Sequence, residues 1–235
     1  MTPGTKRKGR HPRADVIAAI GDAGIIPVVR ADSPDLAVRV VETLVDAGCG
    51  VIEVTLTVPD AFGAIATLVS RLGGRVILGA GTVTDAASAR RALTAGAEFL
   101  VSPCLVAGVV SAARAAGVAV LPGALTPTEI FDAVRARADL VKIFPAHSVG
   151  GPAYLRALRG PFPQVPFVPT GGVTLETIGD YFAAGAAAVG VGGELVPRDA
   201  VRQGDFAAIG AMAERFLGAV REARRGGRPG GEKAR

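Results

Sequence analysis

The sequence predicts an α/β fold, a single (β/α)8 TIM barrel with an extra N-terminal helix. Eight short apolar runs rich in β-branched residues recur through residues 14–222, and their starts are 20 to 27 residues apart. Segments with helical periodicity separate them. Apolar strands of this kind are typical of parallel sheets covered on both faces, and eight strand–helix units fit the barrel count.

The predicted strands are the eight apolar runs. In chain order they are Ile25–Val29, Val51–Thr55, Val76–Ala80, Glu98–Val101, Val118–Leu121, Asp139–Ile143, Pro166–Val168 and Ala186–Val191. The clearest helices between them are Asp35–Ala47, Ala86–Thr94, Thr128–Arg137 and Leu175–Ala183. A first helix, Ala14–Asp22, is expected to cover the bottom of the barrel, and a last one, Asp205–Glu222, to complete its outer ring.

The helix ends carry recognisable capping residues. Ser33-Pro34 and Thr126-Pro127 are typical helix starts, and Thr174-Leu175-Glu176 predicts another. An Ala-Gly pair follows four of the helical segments, at Ala47, Ala95, Ala116 and Ala184. Glycine there suits the left-handed residue that ends a helix.

A doubly wound open sheet is the rival fold. It calls for a glycine-rich crevice fingerprint after the first strand, whereas Ile25–Arg30 runs directly into Ala-Asp-Ser-Pro. The barrel is therefore the favoured architecture.

The positive charge lies at the two ends of the chain. The net charge is +5, but residues 1–13 and 221–235 together carry +9, which leaves −4 on the body between them. We expect one domain, residues 14–222, between disordered basic tails at 1–13 and 223–235. With no Trp and 5% aromatic residues, nucleic-acid binding is not expected.

Several other protein classes are excluded by composition. No apolar run is long enough to cross a membrane, and the N-terminal residues lack the apolar region of a secretory signal. The two cysteines, Cys49 and Cys104, are too few for a disulfide framework. These features predict a cytoplasmic protein without a membrane partner.

Lys142 is the strongest single functional signal. The chain has four lysines, and Lys142 is the only one outside the predicted tails. Strand alternation in Leu140–Pro145 points it into the barrel. An amine can lose its proton and attack a carbonyl, which a guanidinium cannot, so Schiff-base chemistry is indicated. The alternatives are a phosphate-binding lysine or a lysine paired with an inward-facing acid.

Glu53 is the acid that complements it. Ile52 and Val54 are expected to face the helices, so Glu53 points inward, where an unpaired carboxylate is costly. We expect Glu53 to pair with Lys142, either as a general base beside a nucleophile or as a buried structural ion pair.

Two glycine pairs follow the last two predicted strands. Loops after strands seven and eight of a barrel commonly bind phosphate through backbone N–H groups. The pairs are Gly171-Gly172, preceded by Thr170, and Gly192-Gly193. No cluster of His, Cys, Asp and Glu suggests a metal; His11 lies in the tail, and His147 is expected to be an exposed loop residue.

Eight motifs run in the order of a known enzyme family over about residues 14–222. They are Ile52–Asp60, Gly79–Val83, Val101–Pro103, Pro122–Glu129, Val141–Ala146, Gly151–Leu155, Gly160–Pro163 and Phe167–Val173. Through them the chain resembles the KDPG/KHG aldolase family. These class I aldolases cleave 2-keto-3-deoxy-6-phosphogluconate (KDPG) or 4-hydroxy-2-oxoglutarate (KHG). The resemblance implies a (β/α)8 barrel and a homotrimer.

The resemblance also implies roles for individual residues. Lys142 matches the Schiff-base lysine, Glu53 the acid/base glutamate, and Thr82 the threonine that holds the pyruvate carboxylate. Pro103 and Phe144 match residues that flank the reacting carbons. The distal phosphate is expected to meet Thr170, Gly171 and Gly172, with Gly192 and Gly193 beside them.

Two positions depart from the best-known KDPG aldolases. Thr57 stands where those enzymes have an arginine that binds the carboxylate, so Arg30 is left to hold either the carboxylate or the phosphate. Gly192-Gly193 stands where they have Gly-Ser, which removes a hydroxyl from the phosphate loop.

The resemblance therefore implies a lyase that cleaves a small 2-keto acid, KDPG first, without a metal or organic cofactor. The nearest alternative is an aldolase for KHG or a related 2-keto-3-deoxy acid. A barrel isomerase would use Lys142 only as a charge. A catalytically silent barrel whose tails bind nucleic acid or a partner is the alternative from another class.

Overall fold

The structure is a computed structural model that describes residues 11–226. Most of the two predicted tails, residues 1–10 and 227–235, lies outside the described residues. The inner ends of the tails belong to the fold. The His11 ring lies 2.8 Å from the Glu98 carboxylate, and Arg13 begins the first helix. The last helix continues to Gly226.

Helices alternate with short strands along the chain. Within residues 11–226 the α-helices are α1 (Arg13–Ala23), α2 (Pro34–Asp46), α3 (Ala61–Leu72), α4 (Ala86–Ala95), α5 (Ala107–Ala116), α6 (Pro127–Arg135), α7 (Gly151–Arg159), α8 (Ile178–Ala183), α9 (Arg198–Gln203) and α10 (Phe206–Gly226). The strands are β1 (Ile25–Val29), β2 (Val51–Thr55), β3 (Ile77–Gly81), β4 (Phe99–Val101), β5 (Ala119–Leu121), β6 (Gly123–Ala124), β7 (Val141–Ile143), β8 (Phe167–Pro169) and β9 (Val189–Val191).

The strands form two parallel sheets. The larger sheet curls and has the order β5-β4-β3-β2-β1-β9, and the smaller one has the order β6-β7-β8. The prediction of one closed eight-stranded barrel is therefore wrong. Between β8 and β9 the structure has an isolated bridge from Thr170 to Gly190 and a hydrogen bond from the Ala187 N–H to the Phe167 carbonyl at 2.9 Å, but no regular ladder.

Proline explains where the ladder is interrupted. Pro122 separates β5 from β6, and because it has no N–H it cannot donate a hydrogen bond towards β7, the strand that its carbonyl faces. Its carbonyl still accepts a hydrogen bond from the Lys142 N–H at 3.0 Å. At the other gap, Pro169 ends β8, so this strand has no N–H to offer there.

The sheets separate two apolar clusters. Ile52, Val54, Val141 and Ile143 belong to the larger cluster, which lies between the strands and the helices. The smaller cluster lies on the inner face of the sheets and includes Val16 and Ile20 of α1. The first helix therefore packs on this inner-face cluster, whereas the sequence analysis expected it to cover the bottom of a closed barrel.

The local helix signals are mostly confirmed. Gly96 and Gly117 end α4 and α5 with φ of +112° and +67°. Thr126 caps α6 through a complete capping box with Glu129. At Thr174 the predicted cap is formed but the helix starts later. The Thr174 hydroxyl accepts from the Thr177 N–H and its carbonyl from the Ile178 N–H, whereas regular α8 begins only at Ile178.

Arg224 fastens the last helix to the first. Its guanidinium donates to the carbonyls of Gly21 and Asp22 at the C-terminal end of α1, and to Ala187 at 3.2 Å. It also lies 5.2 Å from the centre of the Phe182 ring. Burial lowers the pKa of this guanidinium below its ordinary value. Arg224 therefore joins the last helix to the end of α1 and to the segment that leads into β9.

We expect Arg224→Ala to lower the free energy of unfolding by about 1–2 kcal/mol, because hydrogen bonds from a partly exposed cation to three carbonyls are lost. Such a loss lowers the melting temperature by roughly 2–8 °C in a chain of this size. The neighbouring Arg225 is exposed, and Arg225→Ala should change the stability by no more than about 0.5 kcal/mol. Thermal melts of the two variants that coincide would contradict this role.

Candidate active site

Lys142 lies on the inner face of the smaller sheet. It is the middle residue of β7, and its neighbours Val141 and Ile143 pack towards the helices. Because side chains alternate along a strand, the lysine points to the opposite side. The sequence therefore predicted its direction correctly.

Lys142 is buried beside an aromatic ring. The residue is 6% exposed, and its Nζ lies 5.1 Å from the centre of the Phe144 ring. Among residues 11–226 it forms no ion pair within 4.0 Å. The ion pair expected with Glu53 is therefore not formed, and the reading of these two residues as a structural salt bridge loses its support.

Glu53 is buried in the middle of β2. It is 2% exposed, and its Oε1 has no hydrogen-bond partner among the described residues. A buried acceptor without a partner costs about 1–3 kcal/mol, so such groups are rare and mark functional positions. The carboxylate lies against Gly81 on the neighbouring strand β3.

The Thr57 hydroxyl is hydrogen-bonded to Thr55, the last residue of β2. Thr55 Oγ1 donates its single proton to the Val29 carbonyl at 3.1 Å. The 2.7 Å hydrogen bond between the two threonine hydroxyls must then use the proton of Thr57. In this arrangement Thr57 has only lone pairs left for a ligand, whereas an arginine would offer several donors.

A pocket of about 150 Å³ lies at the ends of β1, β8 and β9. It is lined by Val28, Arg30, Phe144, Thr170, Gly171, Gly172, Val173, Gly192, Gly193 and Glu194. Seven predicted site residues therefore come together here. Val28, Val173 and Glu194 were missed by the sequence analysis, and neither their type nor their spacing gave a signal for them.

Arg30 follows β1 and lies beside the two glycine loops. A Cβ on Gly192 would lie 3.3 Å from a guanidinium nitrogen of Arg30. Among the described residues Arg30 has no hydrogen-bond or ion-pair partner, and it is exposed to solvent. A free cation beside two glycine loops suits an anionic ligand.

The two glycine pairs differ in what their backbone requires. Gly171 and Gly172 have φ of +92° and +74°, and a Cβ on Gly172 would overlap the His147 side chain. Gly193 has no left-handed φ, and a Cβ there would meet nothing within 4 Å. The first pair is therefore fixed by geometry, whereas in the second pair Gly193 leaves open space.

Thr82 and Pro103 do not line this pocket. They follow β3 and β4, on the far side of Glu53 from the glycine loops. Thr82 has a φ of +56°, which is unusual for a β-branched residue and is typical of functional positions. Next to Pro103, the fully buried Ser102 donates its hydroxyl to the Cys104 carbonyl at 2.7 Å and stabilises the loop.

Over residues 11–226 no group of three or more His, Cys, Asp or Glu side chains is placed to hold a metal ion. In the same range no helix qualifies as a membrane span.

Comparison with known proteins identifies the family of this site. The sequence pattern described as KDPG and KHG aldolase matches residues 16–212. The chain belongs to this aldolase family. It is accordingly a class I aldolase, a carbon–carbon lyase. The barrel isomerase and the catalytically silent barrel are thereby ruled out.

The similar proteins are named aldolases, and each match covers most of both chains. The 2-dehydro-3-deoxy-phosphogluconate aldolase of Treponema pallidum is 35% identical over 202 residues, which are 86% of this chain and 96% of the relative. The KHG/KDPG aldolase of Escherichia coli is 34% identical over 189 residues, 80% and 88% of the two chains. The KDPG aldolase of Legionella pneumophila, solved with pyruvate captured at low pH as a covalent carbinolamine, has a TM-score of 0.79 and 30% identity over 84% of this chain and 96% of that one.

Alanine substitutions in the glycine loops of this aldolase test whether the left-handed backbone of Gly172 matters for stability. We expect Gly172→Ala to destabilise the protein by about 1–3 kcal/mol, because alanine is strained at φ +74° and its Cβ overlaps His147. Gly193→Ala adds a methyl group in open space and should change the stability by less than about 0.5 kcal/mol. Chemical denaturation measures both, and equal losses would show that the difference in backbone geometry has no energetic consequence.

Proposed function

We propose that this aldolase cleaves KDPG to pyruvate and glyceraldehyde 3-phosphate through an imine on Lys142. The observation that carries the proposal is the buried amine of Lys142, 5.1 Å from the Phe144 ring, which itself borders the pocket of Arg30 and the glycine loops. A nucleophile and an anion site thus share one wall. A substrate with a ketone at one end and a phosphate at the other fits this arrangement.

The reaction begins when the uncharged amine of Lys142 attacks the C2 ketone carbon. Loss of water from the carbinolamine leaves a protonated imine, which withdraws electrons from the C3–C4 bond. Glu53, directly or through a water molecule, takes the proton of the C4 hydroxyl; the C3–C4 bond breaks and the aldehyde leaves. The resulting enamine is protonated at C3, and hydrolysis of the imine releases pyruvate and the free amine.

The other predicted site residues divide between the two ends of the substrate. Thr82 serves the carboxylate end. Thr57 joins it only when its hydroxyl proton turns away from Thr55, because a carboxylate accepts hydrogen bonds and donates none. Pro103 and Phe144 flank the reacting carbons. The phosphate end is served by Arg30, Thr170, Gly171, Gly172, Gly192 and Gly193.

The position of Arg30 supports its assignment to the phosphate. Its guanidinium lies beside Gly192, and it lines the pocket together with Gly171 and Gly172. Charge-assisted hydrogen bonds are worth about 1.5–3 kcal/mol each, so one such bond favours a phosphorylated substrate by roughly tenfold or more.

KHG is the second candidate substrate. Gly193 offers no hydroxyl and leaves open space beside the pocket, so the phosphate loop lacks a side-chain donor at that position. The Escherichia coli relative carries both substrates in its name. We therefore expect KHG to be cleaved as well, but more slowly than KDPG.

The working form that we propose is a cytoplasmic homotrimer. Phe131 and Val134 on α6 are exposed by 53% and 43%, which gives a second copy an apolar surface to cover.

Both cysteines are free, and burial raises the pKa of the Cys49 thiol to about 12, which keeps it unreactive. Free thiols are typical of a reducing compartment.

Imine formation is tested with pyruvate and borohydride. We expect a single reduced pyruvate adduct on Lys142, found by peptide mass mapping, because the lysine is the buried amine of the site. Lys142→Arg should abolish the adduct and the cleavage of KDPG while its thermal melt stays close to that of the parent chain. An adduct on Lys6, Lys8 or Lys233 instead, or none, contradicts the proposed mechanism.

Substrate preference is tested with KDPG and KHG at equal concentrations far below KM. We expect kcat/KM for KDPG to exceed that for KHG by about tenfold or more. Arg30→Met should reduce this ratio, and Gly193→Ser should increase it by restoring a hydroxyl donor. Arg39 on α2 stacks on Phe206 outside the site, so Arg39→Met is a matched control that should leave the ratio unchanged.

Faster cleavage of KHG, with a ratio that neither Arg30→Met nor Gly193→Ser changes, would show that these loops hold no phosphate. The enzyme would then be a hydroxy-oxoglutarate aldolase that keeps the Lys142 chemistry.

A further inference from the structure

The Glu53 carboxylate occupies the space that a side chain on Gly81 would take. A Cβ on Gly81 would lie 2.6 Å from Glu53 Cγ and closer still to the carboxyl carbon and Oε1. Carbon atoms in contact lie about 3.5–4.0 Å apart, so even a methyl group would overlap this side chain. The overlap involves Cγ as well as the carboxylate, so it cannot be relieved by a rotation of the carboxylate alone.

The backbone itself does not require glycine at position 81. Its φ is not in the left-handed region, in contrast to Gly171 and Gly172. Glycine inside a strand weakens the strand and often marks a close approach by another group. Here the approaching group is the glutamate of the adjacent strand, since β2 and β3 pair in register from Val51 to Thr55.

The same arrangement recurs at two other functional positions. A Cβ on Gly123 would lie 2.9 Å from the Cys104 N and closer to the Pro103 carbonyl. A Cβ on Gly190 would lie 2.9 Å from Thr170 Cγ2 and closer to its hydroxyl. In each case a glycine makes room for a group of the predicted site. Gly79 does the same for the core residue Phe99, so the functional reading of Gly81 depends on the group that it meets, the Glu53 carboxylate.

We infer that Gly81 is a positioning residue for the acid/base step, because the surface left by its missing side chain fixes the direction of Glu53. The inference rests on the proposed function, in which Glu53 moves protons beside the Lys142 imine. Glu53 Oε1 has no hydrogen bond to a described residue, so packing has to do what a hydrogen bond does elsewhere. A displacement of about 1 Å of a catalytic group can cost about 10²-fold in rate.

The test separates imine formation from proton transfer. In D₂O, the methyl protons of pyruvate exchange when a base removes a C3 proton from the imine to give the enamine, and a deuteron is then returned to C3. Proton NMR follows this exchange, and borohydride trapping with mass spectrometry follows the imine on Lys142. A variant that moves only the base should slow exchange and leave trapping intact.

We expect Gly81→Ala to slow exchange by about 10²-fold or more, approaching Glu53→Gln, while imine trapping stays within about threefold of the parent chain. Gly50→Ala is the matched control. Gly50 immediately precedes β2, has no left-handed φ, and a Cβ there would meet nothing within 4 Å. This variant should leave both exchange and trapping unchanged.

A double variant keeps the inference testable if Gly81→Ala folds poorly. Glu53→Ala removes the overlapping side chain, so Gly81→Ala/Glu53→Ala should melt close to Glu53→Ala. It should also exchange pyruvate protons at the same residual rate as Glu53→Ala, because two residues that act through one group are not additive.

Three outcomes would overturn the inference. They are exchange by Gly81→Ala within threefold of the parent chain, an equal loss of exchange and trapping in folded Gly81→Ala, and failure of the double variant to fold. Failure of the proposed function looks different, because the unmodified chain would then give no borohydride adduct on Lys142 at all.

Discussion

The parallel direction of the strands decides where chemistry can take place in this aldolase. All strands carry their carboxyl ends to the same edge, so groups that are far apart in sequence meet there. Glu53 on β2 and Lys142 on β7 reach the inner face through strand alternation, and Arg30 and the glycine loops follow the ends of their strands. Helices cover the opposite faces of the sheets with a continuous apolar layer.

Burial of polar groups inside these sheets has a cost that local structure has to offset. Lys142 lies beside an aromatic ring, and Glu53 lies against the bare backbone of Gly81. The glycines of the inner face thus provide room for functional side chains, whereas Gly171 and Gly172 provide backbone directions that other residues avoid. The abundance of glycine in this chain therefore has two separate physical reasons.

Much of the site could be predicted because it depends on short-range periodicity. The inward direction of Lys142 and Glu53 follows from alternation within five residues of strand. The prediction of an ion pair between them was wrong, because strand alternation gives the direction of each side chain but not the distance between two side chains on different sheets. The predicted helix start at Thr174 was three residues early. Thr174 does cap the first turn, but regular α8 begins only at Ile178, and capping preferences do not show how soon a regular helix follows.

By itself, the sequence determined the alternation of strands and helices, the two inward-facing reactive side chains and the glycine loops, because these depend on neighbours close in the chain. Only the tertiary structure decided that the strands form two sheets rather than one closed barrel, because strand pairing joins residues that are far apart in the chain. It also decided that Arg30 joins the glycine loops and that Gly81 receives the Glu53 carboxylate. Both are contacts between strands, and their geometry exists only after the sheets have formed.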